Sequence, residues 1–367
     1  MSKRESQRGS KAGRAGAALL LLALAAAGAG GVWLVAEWQK SYQGFATSGV
    51  FVEISRGMSS AAIARRLAEN GVVQNRVAFE VLCRWKSPAT LQAGEYFFDR
   101  PMSPIEVFRK LSEGRIFFHS LTIPEGKTTF EIAEIVEREG LTDRRAFLAA
   151  VNDSSLIRDL APKAKNLEGF LFPATYQFPR KVTPQRIVET MVKRFREVWG
   201  RLQKDEAMAD GRPVTEIVTL ASLVEKETGV AEERSLVAGV FLNRLKRRMA
   251  LQCDPTVIYA LELANRYDGS LNGKDLQFKS PYNTYGNVGL PPGPIANPGE
   301  ASLLAALRPS VTENLYFVSN AQGGHVFSRT LEEHNRNVMR FRRLQAQNGR
   351  RDSAMTGVHE GPQRKPR

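Results

Sequence analysis

Two stretches of the chain follow the same pattern: ISRGMSSAAIARRLAENG at residues 54–71 and IPEGKTTFEIAEIVEREG at residues 123–140. In each copy an isoleucine precedes a glycine, and Ser or Thr follows where a helix N-cap is expected. Apolar residues then recur at helical spacing until a second glycine, typical of a helix end. The repeat predicts a strand, a turn and an amphipathic helix in each copy, and hence a mixed α+β fold.

The first copy continues with a helical pattern at Arg76–Trp85 and a strand pattern at Ala93–Phe98. The resulting β-α-α-β unit, placed at residues 49–118, resembles a LysM module, the small fold that binds glycans containing N-acetylglucosamine. Strand-turn-helix units are also common without any binding function. The resemblance therefore leaves open whether this subdomain binds glycan or is only structural.

Composition excludes several classes of protein. The 367 residues are 43% hydrophobic and 25% charged, so the chain can bury a core and is not disordered throughout. Two cysteines and four histidines are too few for a disulfide scaffold or a Cys-rich zinc site, and no HExxH motif occurs. The sequence therefore suggests neither a metal nor a cofactor.

The net charge of +14 is concentrated at the two ends. Residues 1–14 carry five Lys/Arg and one acid, and residues 348–367 carry five Lys/Arg and two acids. The body between them is only mildly basic. This distribution does not indicate a nucleic-acid partner.

An uncharged run from Ala15 to Ala36 follows the basic residues 1–14. A helix of this length reaches roughly 33 Å, enough to cross a bilayer, and Trp33 and Trp38 are typical of its far interface. The positive-inside rule predicts a cytoplasmic N-terminus in the inner membrane and an extracytoplasmic domain. A signal peptide cleaved near Ala25–Ala27 is the alternative.

The remainder, residues 119–345, is predicted to be a mixed α+β catalytic domain. Residues 141–212 are expected to be mostly helical, and residues 265–324, rich in Gly, Pro and Asn, to form loops and short strands. Further helical patterns cover 214–226, 232–248 and 330–347. The polar, basic residues 346–367 predict a disordered tail.

Five blocks of sequence carry the chemistry. They are LEGFLFPATY (167–176), LASLVEKET (220–228), LQCDPTVIY (251–259), SPYNTY with GLPPGPIA (280–285 and 289–296) and YFVSNAQGGHVF (316–327). In this order, over residues 50–345, they resemble the endolytic murein transglycosylase family of the YceG and MltG type, membrane-anchored enzymes that cut peptidoglycan glycan strands. Two positions depart from that pattern: Ala174 replaces the usual Asp, and Cys253 the usual Thr or Ser.

Glu225 is the candidate catalytic residue. On a helix over 214–228 it lies along the edge of the apolar face, where a carboxylate is costly to ionise, as a general acid requires. Glu227 projects the opposite way. From the residues alone, Glu225 is equally well explained as a helix-end cap or as an ion-pair partner of Arg234 or Arg244. The family resemblance matches Glu225 to the catalytic acid/base.

The resemblance implies cleavage between N-acetylmuramic acid and N-acetylglucosamine, with the muramic acid O6 attacking C1 to form a 1,6-anhydro end. One carboxylate then suffices, because the nucleophile is part of the substrate. Two alternatives stay open. A hydrolytic muramidase would need a second carboxylate, Asp254 or Glu168, to activate water. A non-catalytic cell-wall protein would bind glycan through its LysM-like unit.

Eight further residues are predicted to line the substrate cleft with amide, hydroxyl, aromatic and charged groups. They are Glu168, Gln252, Asp254, Tyr282, Asn283, Thr284, Tyr285 and His325. Structural roles are weighed beside three of them: Asp254 as the N-cap of a helix over Thr256–Leu263, Glu168 as an acceptor for backbone N–H groups, and His325 as a fold histidine. The resemblance also implies proximity to peptidoglycan synthases.

Overall fold

The N-terminal unit, Met1–His119, is built on a pair of strands covered by helices. The computed structural model describes residues 21–22, 24–205, 211–320 and 322–356. The elements of this unit are α1 (24–39), β1 (Val50–Ile54), α2 (Ser60–Glu69), α3 (Arg76–Trp85), β2 (Gly94–Phe98) and α4 (Pro104–Ser112). Strands β1 and β2 are antiparallel, with Val50 opposite Phe98. The predicted strand-helix-helix-strand order is thus observed.

Helix α1 ends inside the core of the N-terminal unit. Trp38, expected at a membrane interface, is buried there; its Nε1–H donates to the carbonyl of Ala78 at 2.8 Å and its ring stacks on Trp85 at 5.3 Å. Among the described residues, no helix combines the length and the apolar character needed to cross a bilayer. The predicted span 15–36 includes residues 15–20 and 23, which lie outside the described residues, as does the basic segment 1–14.

The C-terminal unit, Ser120–Arg367, is largely helical. Its strands are β3, which begins at the unit boundary (His119–Thr122), β4 (Thr175–Phe178), β5 (Tyr316–Ser319) and β6 (His325–Ser328), paired as β3–β4 and β5–β6. Its helices are α5 (Thr129–Arg138), α6 (Arg144–Val151), α7 (Pro184–Asp205), α8 (Val214–Glu227), α9 (Arg234–Lys246), α10 (Asp254–Leu263), α11 (Glu300–Leu307) and α12 (Leu331–Thr356). Short 3₁₀ turns start at Ser154, Ala231 and Asp275.

Helix content differs from the prediction in three places. Residues 158–174, predicted to be mostly helical, are irregular, and α7 begins at Pro184, since proline is favoured in the first turn of a helix. Helix α11 lies in the region predicted as loop; Gly299 is its N-cap and its Leu and Ala residues favour helix. Helix α12 continues past residue 345 to Thr356, and residues 357–367 lie outside the described part.

The core of the C-terminal unit surrounds α8. Every residue of this helix from Ile217 to Val224 is buried, and its strongest packing partners are α11 and α9. Ser222, inside this apolar stretch, accepts the N–H of Ile295 at 3.1 Å. The last turn of α8, which carries Glu225 and Glu227, is therefore held rigidly at the edge of the core.

Candidate active site

The side chain of Glu225 is sheltered at the end of α8, with 7% of its surface exposed. The N–H of Gly299, the N-cap of α11, donates to Oε2 of Glu225 at 3.0 Å. The guanidinium of Arg234 on α9 lies 3.9 Å from Oε1. The ion pair with Arg234 that the residues alone left open is therefore present, and the carboxylate does not point into open solvent.

A turn from the second copy of the repeat closes over Glu225. The N–H of Gly126 donates to the carbonyl of Asn297 at 2.9 Å, and the N–H of Asn297 donates back to Lys127 at 3.0 Å. Gly126 has φ +73°, and a Cβ there would meet Cγ of Glu225 at 3.4 Å. Main-chain bonds thus place this turn directly against Glu225.

Glu125, in the same turn, brings a second carboxylate to the site. A Cβ added to Gly299 would overlap the Glu125 carboxylate, so the glycine allows that group to lie against the main chain. Partial burial raises the pKa of Glu125, the negative charge of Glu225 raises it further, and Arg234 partly offsets both. Glu125 was not among the predicted site residues.

Glu168 does not line an open cleft with Glu225, because its carboxylate is buried within the fold. It accepts the N–H and hydroxyl of Thr129, the hydroxyl of Tyr259 and the amide of Asn297, at 2.8 to 3.2 Å. Burial raises its pKa to about 7, against the effect of these donors. The structural alternative for Glu168 is observed: it joins the start of α5 to the Asn297 segment that holds the turn over Glu225.

Glu227 lies in a different environment. Burial raises its pKa, the thiol of Cys253 donates a hydrogen bond that lowers it, and the nearby charge of Asp254 raises it again. Arg244, the other predicted partner of Glu225, lies near Glu227 and donates to the carbonyls of Leu251 and Leu315. The two glutamates therefore face separate surroundings, as their helical spacing predicts.

Asp254 is not the N-cap of its helix. The N-cap of α10 is Cys253, without a side-chain cap, and Asp254 is the first helical residue, followed by Pro255. Its carboxylate instead accepts the hydroxyl of Tyr285 at 2.5 Å, and burial together with this bond raises the pKa of Tyr285. The departure from the family pattern at Cys253 is internal to the fold, since the thiol is fully buried against Glu227.

Two predicted substrate contacts are internal. The side chain of Asn283 is buried and donates to the carbonyls of Leu276 and Phe278, so it shapes its own loop. Thr284 is buried and accepts the N–H of Cys253 at 3.0 Å. Neither side chain is placed to meet a ligand, because loops in a folded protein satisfy their buried polar groups first.

Tyr282 and Gln252 are more accessible. Tyr282 packs its ring against Tyr259 at 5.0 Å and lines a cavity of about 230 Å³ with the edge of Glu168 and with Pro292. Gln252 has left-handed backbone, with φ +50°, and its side chain is exposed. These two residues keep surfaces that a saccharide can contact.

His325 is anchored within the fold. Its Nδ1 lies 2.7 Å from the carboxylate of Glu233, whose other oxygen accepts the N–H of His325 at 2.8 Å. Its ring packs edge-on against Phe317. These internal contacts are those of a histidine that stabilises the fold, which is the structural role considered for His325 from the sequence.

The structure thus separates the predicted residues into two groups. Glu225 lies beside Arg234, the ion-pair partner considered from the sequence, and beside Glu125 and Gly299, which were not among the predicted site residues. Glu227 contacts the predicted 252–285 loop. Aligning the two copies of the repeat could have drawn attention to Glu125. At this position the first copy has Arg56, whereas the second copy has a carboxylate.

Comparison with known proteins gives a consistent result. The YceG-like family model matches residues 52–340. An endolytic murein transglycosylase of Bacillus subtilis is 36% identical over 303 residues, covering 78% of this chain and 83% of that protein. One from Streptococcus pneumoniae is 33% identical over 324 residues; the match covers 79% of this chain but 58% of that longer relative. A crystal structure of a yceG-like protein from Listeria monocytogenes, 34% identical, superposes with a TM-score of 0.55, covering 79% of this chain and 99% of that one.

Proposed function

The chain belongs to the YceG-like family, and from this premise we propose that it is an endolytic lytic transglycosylase of peptidoglycan. It cleaves the β-1,4 bond between N-acetylmuramic acid and N-acetylglucosamine within glycan strands and leaves 1,6-anhydro ends. The curated relatives named endolytic murein transglycosylase support this activity. We propose that this cut terminates the elongation of nascent strands.

The position of Glu225 is the observation that carries the mechanism. The Glu225 side chain is 7% exposed at the end of an apolar helix, and this sheltered position supports its assignment as the general acid. The N–H of Gly299 binds Oε2 and the guanidinium of Arg234 lies 3.9 Å from Oε1, so these two contacts orient the carboxylate. Glu225 then protonates the glycosidic oxygen, and the bond from that oxygen to C1 of the muramic acid breaks.

The second half of the reaction returns the proton. The O6 hydroxyl of the same muramic acid attacks C1, and its proton passes to the Glu225 carboxylate, so no water is consumed. The N–H of Gly299 and the guanidinium of Arg234 stabilise that carboxylate while it is charged. Because the nucleophile is tethered to the reacting sugar, the second step has a large effective molarity.

The test is digestion of purified peptidoglycan by the full-length protein in detergent, with products weighed by mass spectrometry. We expect ends lighter by one water than reducing ends, and loss of release by at least about 1000-fold in Glu225→Gln. Glu227→Gln is the control on the same helix turn and should retain release. Loss in Glu227→Gln with full release by Glu225→Gln, both folded, would contradict the assignment; no release by the wild type would favour a non-catalytic wall-binding protein.

A hydrolytic muramidase is the second candidate, because the site does contain a second carboxylate. It is Glu125, and not the Asp254 or Glu168 expected from the sequence: Asp254 is bound to Tyr285 and Glu168 is buried. A muramidase would use this carboxylate to activate water. Reducing ends in the same digest would identify it.

We also propose that the N-terminal unit is a LysM-like glycan-binding subdomain. A cavity of about 400 Å³ lies beside the start of α2 and the loop after α3, lined among others by Ser59, Ser87 and Thr90. Oligomers of N-acetylglucosamine are the probe, and Ala89→Trp, at the cavity wall, should weaken their binding to the full chain. Binding unchanged by the tryptophan would place any glycan site elsewhere.

Finally, we propose that residues 15–36 anchor the protein in the inner membrane, with an extracytoplasmic catalytic domain beside the peptidoglycan synthases. The uncharged run and the basic residues before it support this arrangement. Alkaline phosphatase fused after residue 367 should be active, and N-terminal sequencing of the membrane fraction should find residues 1–14 retained. An N-terminus near residue 28 would instead indicate a cleaved signal peptide, and co-purification from crosslinked membranes tests the synthases.

A further inference from the structure

We infer that a basic cavity of the N-terminal unit binds the phosphodiester of an anionic phospholipid, so that this unit lies against the membrane surface. The cavity is formed by the end of β2, by α4 and by the residues after α4. It shares no lining residue with the cavity at Ser59, Ser87 and Thr90 that we propose for glycan. The inference goes beyond the proposed catalysis and rests on the proposed anchor at residues 15–36.

Positive charge dominates the lining of this basic cavity, which has a volume of about 380 Å³. Its charged residues are Asp99, Arg100, Glu106, Arg109, Lys110 and Arg115. Arg100 pairs with Glu106 at 3.3 Å, and Arg115 pairs at 2.6 Å with Glu113, which does not line the cavity. Within the described part of the chain, Arg109 and Lys110 then face the single carboxylate of Asp99. The surplus of one positive charge complements a phosphodiester, which carries one negative charge.

Lys110 gives the cavity a half-buried ammonium. Its Nζ donates to the carbonyl of Phe97 at 2.5 Å, and because an ammonium has three donors, two are left for a ligand oxygen. Burial lowers the pKa of Lys110; Asp99 raises it, and the charges of Arg100 and Arg115 lower it again. Cations placed this close together repel one another, so a bound anion stabilises the cluster.

Arg109 supplies an accessible guanidinium at the same cavity. The residue is exposed in the last turn of α4, next to Lys110. In the described ranges its side chain forms neither an ion pair nor a hydrogen bond. A guanidinium binds phosphate oxygens through paired N–H donors. Arg109 is therefore the side chain best placed to bind a phosphate at the mouth of the cavity.

Aromatic side chains form a wall of the cavity and continue onto the surface. Phe97 and Phe117 line the cavity, with ring centroids 5.7 Å apart. Both pack against the exposed ring of Phe51, at 4.5 and 5.1 Å. Exposed aromatic rings beside basic groups are typical of surfaces that enter the headgroup layer of a membrane. This wall favours a lipid over a small soluble anion.

The chain connects the cavity to the proposed anchor over a short distance. Met102, which lines the cavity, pairs with Tyr42 through main-chain hydrogen bonds of 3.1 and 3.2 Å. Since residues 36–39 are helical and residues 40–42 can extend by at most about 11 Å, Tyr42 lies within roughly 15 Å of Ala36. Exposed Trp33 on α1 is typical of the interface. A headgroup at the end of the anchor is thus within reach of the cavity.

The experiment measures lipid retention by the full-length protein in detergent, by native mass spectrometry. The probe is dioleoyl phosphatidylglycerol, with dioleoyl phosphatidylcholine and inorganic phosphate as comparisons. We expect the wild type to retain phosphatidylglycerol at about 10-fold lower concentration than phosphatidylcholine, because the surplus charge attracts the anionic lipid. Arg109→Gln should weaken retention of phosphatidylglycerol about 5-fold, and Arg109→Glu should abolish the preference.

Arg65→Glu is the matched control. Arg65 is an exposed arginine on α2 that does not line the cavity, so its reversal makes the same change in net charge and should leave the preference intact. Thermal unfolding verifies that each variant is folded.

Three results would overturn the inference: no preference in the wild type, equal losses in Arg65→Glu and Arg109→Glu, or inorganic phosphate that displaces phosphatidylglycerol at the concentration at which the lipid itself binds. The last result would indicate a site for soluble anions. A cleaved N-terminus, found by sequencing, would remove the nearby bilayer. Failure of the proposed catalysis would appear in the peptidoglycan digest and leave lipid retention unchanged.

Discussion

The two copies of the repeat share their local structure and differ in what they contact. Gly57 and Gly126 both adopt left-handed backbone, with φ +80° and +73°, and both helices end before a glycine with φ +69°. A Cβ at Gly57 would meet open space, whereas one at Gly126 would meet Glu225. The glycines after the two helices show the opposite difference. A Cβ at Gly71 would meet the main chain of Gly44, whereas one at Gly140 would meet open space.

This comparison separates local folding from function. The glycine, the cap and the helix pattern are sufficient to form strand, turn and helix in either unit. The second copy differs in packing its turn against α8 and the Gly299 segment, beside the candidate acid Glu225. The residue before the turn glycine differs accordingly, Arg56 in the first copy and Glu125 in the second.

Charge reversal at the turn should show the largest difference between the copies. Glu125→Arg puts a longer side chain of opposite charge against Gly299, the donor to Glu225, and displaces this contact, so we expect release to fall roughly 100-fold. Arg56→Glu, measured by the same mass-spectrometric assay, should have no effect. Equal losses would show that both turns serve the reaction.

The contacts at the start of α5, the helix of the second copy, should make stability depend on pH, whereas those at the start of α2 should not. Thr129 binds the buried Glu168, while Ser60 at the equivalent position is exposed. The folded protein holds the Glu168 proton more tightly than the unfolded chain does, so stability is greatest below about pH 4.5 and falls as pH rises toward 7.

The expected loss is about 3 kcal/mol, measured by denaturant unfolding of the C-terminal unit across this range. Glu168→Gln, which cannot ionise, should flatten that part of the profile. A wild-type slope that persists in Glu168→Gln would show that another group is responsible.

The glycines that end the two helices should differ in their tolerance of alanine. Each substitution carries the strain of left-handed backbone, about 1 kcal/mol. A Cβ at Gly71 would also lie 2.5 Å from the carbonyl carbon of Gly44, which is main chain and cannot easily move. We expect Gly71→Ala to destabilise its unit by about 2 kcal/mol more than Gly140→Ala does its own, measured by hydrogen exchange within each unit. Equal costs would contradict the close approach.

The smallest expected difference concerns the helix caps. Thr128 and Glu131 form a reciprocal capping box, whereas Ser59 accepts a single N–H from Ala62. Thr128→Ala should therefore cost about 1 kcal/mol and Ser59→Ala a few tenths less, by the same exchange measurement. A larger loss at Ser59 would show that tertiary contacts outweigh the box.

The sequence was sufficient for the elements whose signals are local. Helix Arg76–Trp85 has the predicted bounds, and α8 extends one residue beyond its prediction. Helix α11 was missed because the surrounding Gly and Pro residues dominate the window, although the residues after Gly299 are good helix formers. Local patterns identify elements best when the neighbouring residues agree with them.

The sequence could indicate only those features of the candidate site that depend on local helical spacing. Helical spacing separated Glu225 from Glu227 and placed Glu225 at an apolar edge. Periodicity could not reveal that Glu125, a hundred residues earlier, lies on the same glycine, nor that the polar groups of Asn283 and Thr284 are used within their own loop. Such pairings depend on long-range packing, and no local residue pattern encodes them.

The two main-chain hydrogen bonds between residues 126–127 and Asn297 have a consequence for engineering. Replacing side chains leaves a peptide group where it is, so this connection tolerates drift in residue identity. A change in loop length does not: one residue inserted between Asn297 and Gly299 would displace the donor to Glu225 by up to roughly 3.5 Å. Insertions and deletions should therefore be tolerated least here, while substitutions are limited at Asn297, whose buried amide binds Glu168, and at Gly299, where a Cβ would overlap Glu125.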